Sequence, residues 1–330
     1  MASLFRQWPL HAPRREVAKH AATKALRLRQ HLNIAMNEAV CVYDVAERLG
    51  IEVRFVDVAS LEGMYVKPAS SHDKPIILVS AFRPPGRQAS TCAHELGHHV
   101  FGHGTRIDQY VDGIDVARAQ EPPLDAEEVL ANAFGAFFLM PKAAVERGFR
   151  ERGLVPNKAT AHEVFTVAGW LGVGYSTLIH HMWLSLHLMS QKEAGALLVH
   201  QPKRLRADLL GKLAPANVVI VDLSWSGRPV DLQVGDIAVL PAMTVLETSC
   251  GERVEADSPA AVEILHIARA DDAVMIKAQV PGLVRVEAGN WAAFVRVSRR
   301  AYIGRNMFRH LEPVGREDPP VAAAEDDLLD

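Results

Sequence analysis

The stretch His94-Glu95-Leu96-Gly97-His98 constrains this 330-residue chain more than any other part of its sequence. Residues four apart in a helix share one face, so His94 and His98 would present two imidazoles to the same point. Small and apolar residues flank the stretch, which is typical of a buried helix. Imidazoles at this spacing bind Zn²⁺, and Glu95 would stand beside the ion, where it can take a proton from water. The spacing therefore predicts a hydrolytic zinc site with His94 and His98 as ligands and Glu95 as the catalytic base.

Two other interpretations of the stretch are weaker. The chain contains 15 histidines, so the pattern can also arise by chance on a surface helix with two solvated side chains. The extended metzincin motif would require glycine at position 101 and histidine at position 104, but the chain has Phe101 and Gly104. A third zinc ligand is therefore expected from another part of the chain.

The sequence of residues 125–140 predicts a helix, and we expect this helix to supply the third ligand. Asp125 is a typical N-cap residue, and Pro141 would stop the helix. Within it, Glu128 and Asn132 lie four residues apart on one face. We expect Glu128 to bind the zinc and Asn132 to hold one of the two histidines from behind, as ligating imidazoles require.

Two alternatives for Glu128 remain open. It follows Asp125 by three residues, so its side chain could instead close a capping box at the start of the helix. Glu127 is the other candidate ligand, although it does not share a face with Asn132.

Together, these segments resemble the ImmA/IrrE family of bacterial zinc metallopeptidases. The similarity lies in residues 94–99 (HELGHH), 128–134 (EVLANAF) and 139–141 (LMP), with further similarity in 45–53 and 61–65. It extends over about residues 15–190. The resemblance implies a zincin-like fold with one Zn²⁺ per chain, His94, His98 and Glu128 as ligands, and Glu95 as base. It also implies a protein substrate, namely a helix-turn-helix transcriptional repressor that controls stress or mobile-element genes.

The parts of the site that would contact substrate are less defined. Ile76, Ile77, Leu78 and Val79 predict a strand just before the motif helix, which could align a substrate backbone by strand addition or could be a plain core strand. Stabilising the oxyanion also requires a donor beyond the metal. The candidates are Tyr65, Tyr110, His103 and Arg106.

Bulk features predict a cytoplasmic protein. The three cysteines, Cys41, Cys92 and Cys250, are too few and scattered for a disulfide framework, and Cys92 is interpreted as a small buried residue. We see no signal peptide, and the strongly apolar stretch 133–140 is too short to cross a bilayer. The net charge of −3 is unlike that of a strongly basic nucleic-acid-binding protein.

A helix-turn-helix pattern follows, with its turn at Gly172. The second helix would carry His180 and His181 but none of the Arg, Lys, Asn or Gln side chains that read bases. Direct DNA binding is therefore disfavoured, and a helical pair packed on the peptidase core is expected instead.

Residues 200–312 predict a mostly β domain, because six short β-branched runs are separated by Gly, Pro and Asp turns. In IrrE-like proteins a sensor-like domain occupies this position. Five arginines near its end are expected to form a solvated charged face rather than a nucleic-acid contact. They are Arg296, Arg299, Arg300, Arg305 and Arg309.

The predicted fold is α+β. A zincin-like metallopeptidase domain (1–155) would be followed by a helix-turn-helix-like segment (156–199), a mostly β sensor or interaction domain (200–312) and a disordered acidic tail (313–330). The predicted function is a zinc endopeptidase. The alternative is a non-proteolytic regulator that uses the metal-bound scaffold to bind a partner or DNA.

Overall fold

The computed structural model describes residues 14–109, 125–211, 216–226, 228–241, 245–248, 262–265 and 274–311. The chain divides into two compact units, Met1–Val145 with Ile303–Asn306, and Glu146–Tyr302 with Met307–Asp330. Tyr110 and the predicted acidic tail lie outside the described residues. Helices and three small sheets are mixed and the C-terminal region is rich in strands, which confirms the predicted α+β class.

Helices occupy most of the chain up to residue 210. The described part of the chain also contains two short 3₁₀ helices (Pro156–Lys158 and, near the C-terminal end, Asn306–Phe308) and one π-helical turn (His181–Ser185). The helices are α1 (Arg14–His31), α2 (Val42–Arg48), α3 (Pro85–Phe101), α4 (Ala126–Leu139), α5 (Lys142–Arg150), α6 (Ala161–Leu171), α7 (Tyr175–His180), α8 (Gln191–Leu198) and α9 (Pro202–Leu210).

Strands lie between residues 52 and 109 and again after residue 217. They are β1 (Glu52–Val56), β2 (Leu61–Val66), β3 (Ile76–Ser80), β4 (Arg106–Gln109), β5 (Val218–Ile220), β6 (Val230–Gln233), β7 (Ile237–Leu240), β8 (Val245–Thr248), β9 (Val262–Leu265), β10 (Val274–Ala278), β11 (Gly282–Ala288), β12 (Trp291–Ser298) and β13 (Gly304–Arg305).

The first unit contains a mixed sheet in the order β13-β1-β3-β2-β4. β3 pairs in parallel with β1 and antiparallel with β2, so its backbone groups are occupied on both sides. The expectation that residues 76–79 form an edge that accepts a substrate strand is therefore wrong. Ile77 and Val79 are fully buried, and β3 is a core strand. On the side next to β2, the outermost described strand is β4.

A buried arginine ties α1 to the end of α4. Arg29 is fully buried and donates to the carbonyl oxygens of Phe138 (2.7 Å) and Ala35 (2.8 Å), and also to that of Glu38. The carbonyl of Phe138 lies in the last turn of α4, where it has no partner within the helix. Burial lowers the pKa of Arg29 to about 10. The guanidinium thus satisfies carbonyl groups that the fold has removed from water.

Ala126–Arg150, which comprises α4 and α5, is the one stretch of the described chain that is long and apolar enough to span a membrane. Of its most apolar window, 56% is buried inside the protein. Leu130, Ala131, Phe134 and Phe138 are all buried. Its apolar character is accounted for by packing in the protein core.

In the second unit, α6 and α7 meet at Gly172, whose φ of 74° is left-handed and ends α6. The helix-turn-helix pattern therefore corresponds to two consecutive helices. The strands beyond them form two four-stranded sheets, β5-β7-β10-β9 and β6-β12-β11-β8. Each of the six predicted β runs (218–222, 236–240, 262–267, 274–280, 283–287 and 293–297) contains a strand, whereas β6, β8 and β13 were not predicted.

The arginines near the C-terminal end do not form a solvated face. Arg296 (2.7 Å) and Arg309 (2.5 Å) both pair with Asp231, and the side chain of Arg309 is only 9% exposed. Arg305 pairs with Glu52 at 2.9 Å. The prediction of a solvated charged face is wrong for these residues, because acidic side chains distant in sequence neutralise them within the fold.

Candidate metal centre

α3 carries the two histidines and the glutamate of the motif. It begins with proline in its first turn and ends at Gly102, whose φ of 71° is left-handed. His94 and His98 project from the same face, and their Nε2 atoms lie 3.0 Å apart. Residues 91–98 are all buried. The helical spacing thus brings two imidazoles together in a protected position.

α4 adds Glu128 and Asn132 to this pair. Glu128 lies with one oxygen 3.2 Å from Nε2 of His94 and the other 3.5 Å from Nε2 of His98. Asn132 Oδ1 lies 3.1 Å from Nδ1 of His94, on the opposite side of the ring. Asp125 caps the helix by accepting from the backbone N–H of Glu127, and the side chain of Glu128 faces the histidines. Glu127 instead pairs with Arg106.

Two glycines allow α3 and α4 to approach closely. A Cβ atom at Gly97 would lie 2.9 Å from Cα of Ala131, and one at Gly135 would lie 3.1 Å from the backbone nitrogen of His94. Both contacts are with backbone atoms, which cannot rotate away. The close crossing of the helices is what allows Glu128 to reach histidines on the neighbouring helix.

Asp108 joins the cluster, although it was not among the predicted residues. Its Oδ2 lies 3.0 Å from Nε2 of His94. One ligand atom from each of His94, His98, Asp108 and Glu128 can be chosen so that all four lie within 4.8 Å of one another. The polar-apolar-polar alternation of Arg106, Ile107 and Asp108, shortly after the motif, is the signal that could have indicated a strand with a carboxylate on one face.

Each of the two histidines has a hydrogen-bond partner at Nδ1, the ring nitrogen that faces away from the cluster. His98 Nδ1 lies 2.8 Å from Nδ1 of His103, and burial is the main cause that lowers the pKa of His103 to about 4. His103 is therefore neutral, and its Nδ1 can accept from Nδ1–H of His98 in the tautomer of His98 that presents the Nε2 lone pair to a metal. With Asn132 behind His94, each ring has the outer partner that fixes the orientation of a metal-binding imidazole.

Glu95 lies beside the cluster and is fully buried. Among the described residues neither of its carboxylate oxygens has a hydrogen-bond partner. Burial, reinforced by the negative charge of Asp108, raises the pKa of Glu95 to about 9. β2 passes so close that a Cβ atom at Gly63 would lie 2.5 Å from Oε1 of Glu95. A buried carboxylate without a partner costs free energy, which is typical of a group kept for chemistry.

The arrangement fits a divalent metal ion. Nε2 of His94 lies 3.0 to 3.2 Å from Nε2 of His98 and from carboxylate oxygens of Asp108 and Glu128. Nε2 of His98 lies 3.5 Å from the other carboxylate oxygen of Glu128. These distances bracket the edge of about 3.3 Å of a tetrahedron whose ligands lie about 2.0–2.1 Å from a zinc ion. Burial opposes protonation of His94, but hydrogen bonds to Asp108 and Glu128 outweigh it and raise its pKa to about 10. The hydrogen bonds to His94 and His98 likewise hold the pKa of Glu128 well below its usual range. A cation is thus strongly favoured at this point.

The remaining candidates from the sequence are engaged elsewhere. Tyr65 Oη lies 3.0 Å from Nδ1 of His99. Arg106 pairs with Glu127 and with Asp125 at 3.3 Å. Cys92 is fully buried and forms no disulfide among the described residues. The described residues therefore do not single out a donor for an oxyanion.

Residues 46–178 match the model of peptidase family M78, described as the IrrE N-terminal-like domain. This match supports the resemblance of residues 46–178 to the ImmA/IrrE family. The matched segment contains all four members of the cluster as well as Glu95. The segment that matches a metallopeptidase family therefore also contains the cluster that could hold a metal ion.

Comparison with curated proteins found no match. Among solved structures, a Mycobacterium tuberculosis transcriptional regulator is similar at 14% sequence identity, with a TM-score of 0.31 over 74% of this chain. The alignment covers 60% of that regulator, so the chain spans less than two thirds of its length. A likeness of this size does not define a shared function.

Proposed function

We propose that the chain is a zinc-dependent endopeptidase that cleaves a protein. The observation that carries the proposal is Glu95, a buried carboxylate without a hydrogen-bond partner among the described residues, beside a cluster of two imidazoles and two carboxylates. A structural metal site needs ligands only, whereas hydrolysis also needs a base at this position.

His94, His98 and Glu128 would hold the ion, which is the His-His-Glu set of hydrolytic zinc sites. Bound Zn²⁺ supplies a Lewis acid that polarises the scissile carbonyl and makes water more acidic. The positive charge would also lower the pKa of Glu95 from its metal-free value of about 9, which leaves the carboxylate ionised. Glu95 then takes the proton of the attacking water and delivers it to the leaving amine.

The proposed substrate is a helix-turn-helix transcriptional repressor whose cleavage turns on stress or mobile-element genes. This part rests on the resemblance of residues 46–178 to the ImmA/IrrE family. Ile107 is 59% exposed on β4, the outermost described strand beside β2. An extended substrate segment could pair there, in place of the β3 position expected from the sequence.

A non-proteolytic regulator is the second candidate, and Asp108 is the observation in its favour. Four protein ligands around one metal are typical of structural sites, while hydrolytic sites leave one position open. In that case Glu95 would have no chemical role, so Glu95 discriminates between the two candidates.

Two measurements test the proposal. Elemental analysis should find about one zinc per chain in the wild type and in Glu127→Ala, and a marked loss in Glu128→Ala. Glu127→Ala is the matched control, because Glu127 is the adjacent carboxylate but pairs with Arg106. Glu95→Gln should keep its zinc and lose cleavage of purified helix-turn-helix repressors. Cleavage that persists in Glu95→Gln, or a wild type that binds no zinc when supplied with it, would overturn the proposal.

A further inference from the structure

Asp108 is held differently from the other members of the cluster. His94, His98 and Glu128 project from α3 and α4, which have 17 and 14 residues. Asp108 lies on β4, which has four residues and pairs within the described chain only with β2. Short elements held by few hydrogen bonds open at lower free-energy cost than long packed helices. Asp108 is therefore the member of the cluster that can leave with the least disturbance.

Strand geometry directs Asp108 into the cluster. Alternate residues of a strand face opposite sides, so Asp108 and Arg106 point one way and the exposed Ile107 points the other. Asp108 stands opposite Gly63 of β2, next to an irregularity in the pairing. Opposed residues of antiparallel strands share a face, and on that face a Cβ at Gly63 would strike Glu95. Because Gly63 has no side chain, there is room for the side chains of Glu95 and Asp108 on this side of the sheet.

Arg106 lies on the same face of β4 as Asp108 and forms ion pairs with the start of α4. Its guanidinium pairs with Glu127 and with Asp125 at 3.3 Å, and both acids lie at the start of α4, next to Glu128. β4 is thus connected to α4 at two points, through Arg106 and through the cluster itself. These contacts keep Asp108 within 3.0 Å of His94 Nε2.

We propose that Asp108 is a fourth protein ligand that closes the metal centre, and that hydrolysis requires β4 to withdraw it. This inference rests on the proposed function. The two histidines and Glu128 already complete the protein ligands of a hydrolytic site, and the fourth position is the one that water or substrate must occupy. In the arrangement described here Asp108 takes that position, so the metal is held in a closed, inactive form.

Cobalt substitution of the full chain tests this without relying on activity. Co²⁺ occupies the same kind of site as zinc, and its visible spectrum reports the number and type of its ligands. The wild type should bind Co²⁺ and show no spectral response to azide, a small anion that requires an open position. Asp108→Ala should show a changed spectrum that azide alters further. Its Co²⁺ affinity should fall by about 10–100-fold or more, since even partners of a ligand contribute that much.

Asp108→Asn, which preserves the shape of the side chain, guards against a folding defect in Asp108→Ala and should give the same azide response. Asp57→Asn is the matched control, because Asp57 is an exposed carboxylate in the same unit. It should behave as the wild type does. If the spectra and azide responses of wild type and both Asp108 variants coincide, Asp108 is not a ligand and only this inference fails. If the wild type binds no Co²⁺, the inference and the proposed function both fail.

Discussion

The Nδ1 atoms of His98 and His103 lie 2.8 Å apart, with both side chains buried. One of the two nitrogens must carry the shared proton. Because burial keeps the pKa of His103 near 4, His103 is neutral, and its Nδ1 can be the acceptor. A metal bound at Nε2 of His98 requires the proton on Nδ1, and donation of that proton to His103 stabilises this tautomer. His103 acts on the metal centre through His98 and is a positioning residue.

Replacing His103 should accordingly weaken metal binding without removing a ligand. We expect His103→Ala to lower zinc affinity by about 10–100-fold, the usual effect of losing the outer partner of a metal-binding histidine. Competition with a chromophoric chelator would measure it. His72→Gln, a change at an exposed histidine of the same unit, should leave the affinity unchanged. Equal affinities in all three proteins would contradict the positioning role.

Arg29 should contribute to stability through the carbonyl groups it satisfies. We expect Arg29→Met to lower the free energy of unfolding by about 2–4 kcal/mol, because each buried acceptor left without a donor costs about 1–3 kcal/mol. Urea denaturation followed by circular dichroism would measure the loss. Arg27→Met removes an exposed arginine from the same helix and should have little effect. A similar loss in both variants would show that the buried contacts of Arg29 are unimportant.

Gly97 should be required for the spacing of α3 and α4. In Gly97→Ala the new methyl group would meet the backbone of Ala131, so the helices must separate. We expect a loss of about 1–3 kcal/mol, typical of overpacking, together with weaker zinc binding, because Glu128 would move away from the histidines. Gly104→Ala is the control, since a Cβ at Gly104 has open space around it. Thermal denaturation and zinc affinity should separate the two variants, and unchanged zinc binding in Gly97→Ala would contradict this account.

The parts of the site that the sequence predicted are those governed by local periodicity. His94, His98, Glu128 and Asn132 each lie four residues from a partner, and helical geometry alone places such pairs on one face. That α4 would present Glu128 rather than Glu127 also follows from the position of Asn132. The structure brings these residues together as the pattern predicted.

The missed parts depend on contacts between distant segments. Asp108 reaches the cluster only because β4 pairs with β2, more than forty residues earlier, and nothing local to residues 106–109 reveals that partner. The central position of β3 depends likewise on the order of strands in the sheet. The ion pairs of Arg296 and Arg309 with Asp231 span still longer separations. A charge run or an apolar run does not by itself specify what will pack against it.

The pH dependence of stability should differ between the metal-free and the metal-bound protein. Without metal, the folded state raises the pKa of His94 from 6.5 to about 10, so its stabilising contribution is complete below pH 6.5 and is lost as the pH rises through 10. Glu95 acts in the same direction, because its pKa rises from 4.5 to about 9 and the folded state retains a proton that the unfolded state releases. The metal-free protein should therefore become less stable between pH 7 and 9.

Metal binding should reverse this trend. A metal ligand must be the neutral imidazole, so zinc displaces the proton of His94 and its affinity should increase as the pH rises. The increase in melting temperature caused by zinc, measured at pH 7, 8 and 9, should therefore grow with pH. His94→Gln removes the proton and the ligand together, so it should lose both the zinc effect and much of the metal-free pH dependence. A zinc-induced shift that is constant from pH 7 to 9 would show that protons and metal do not compete for this cluster.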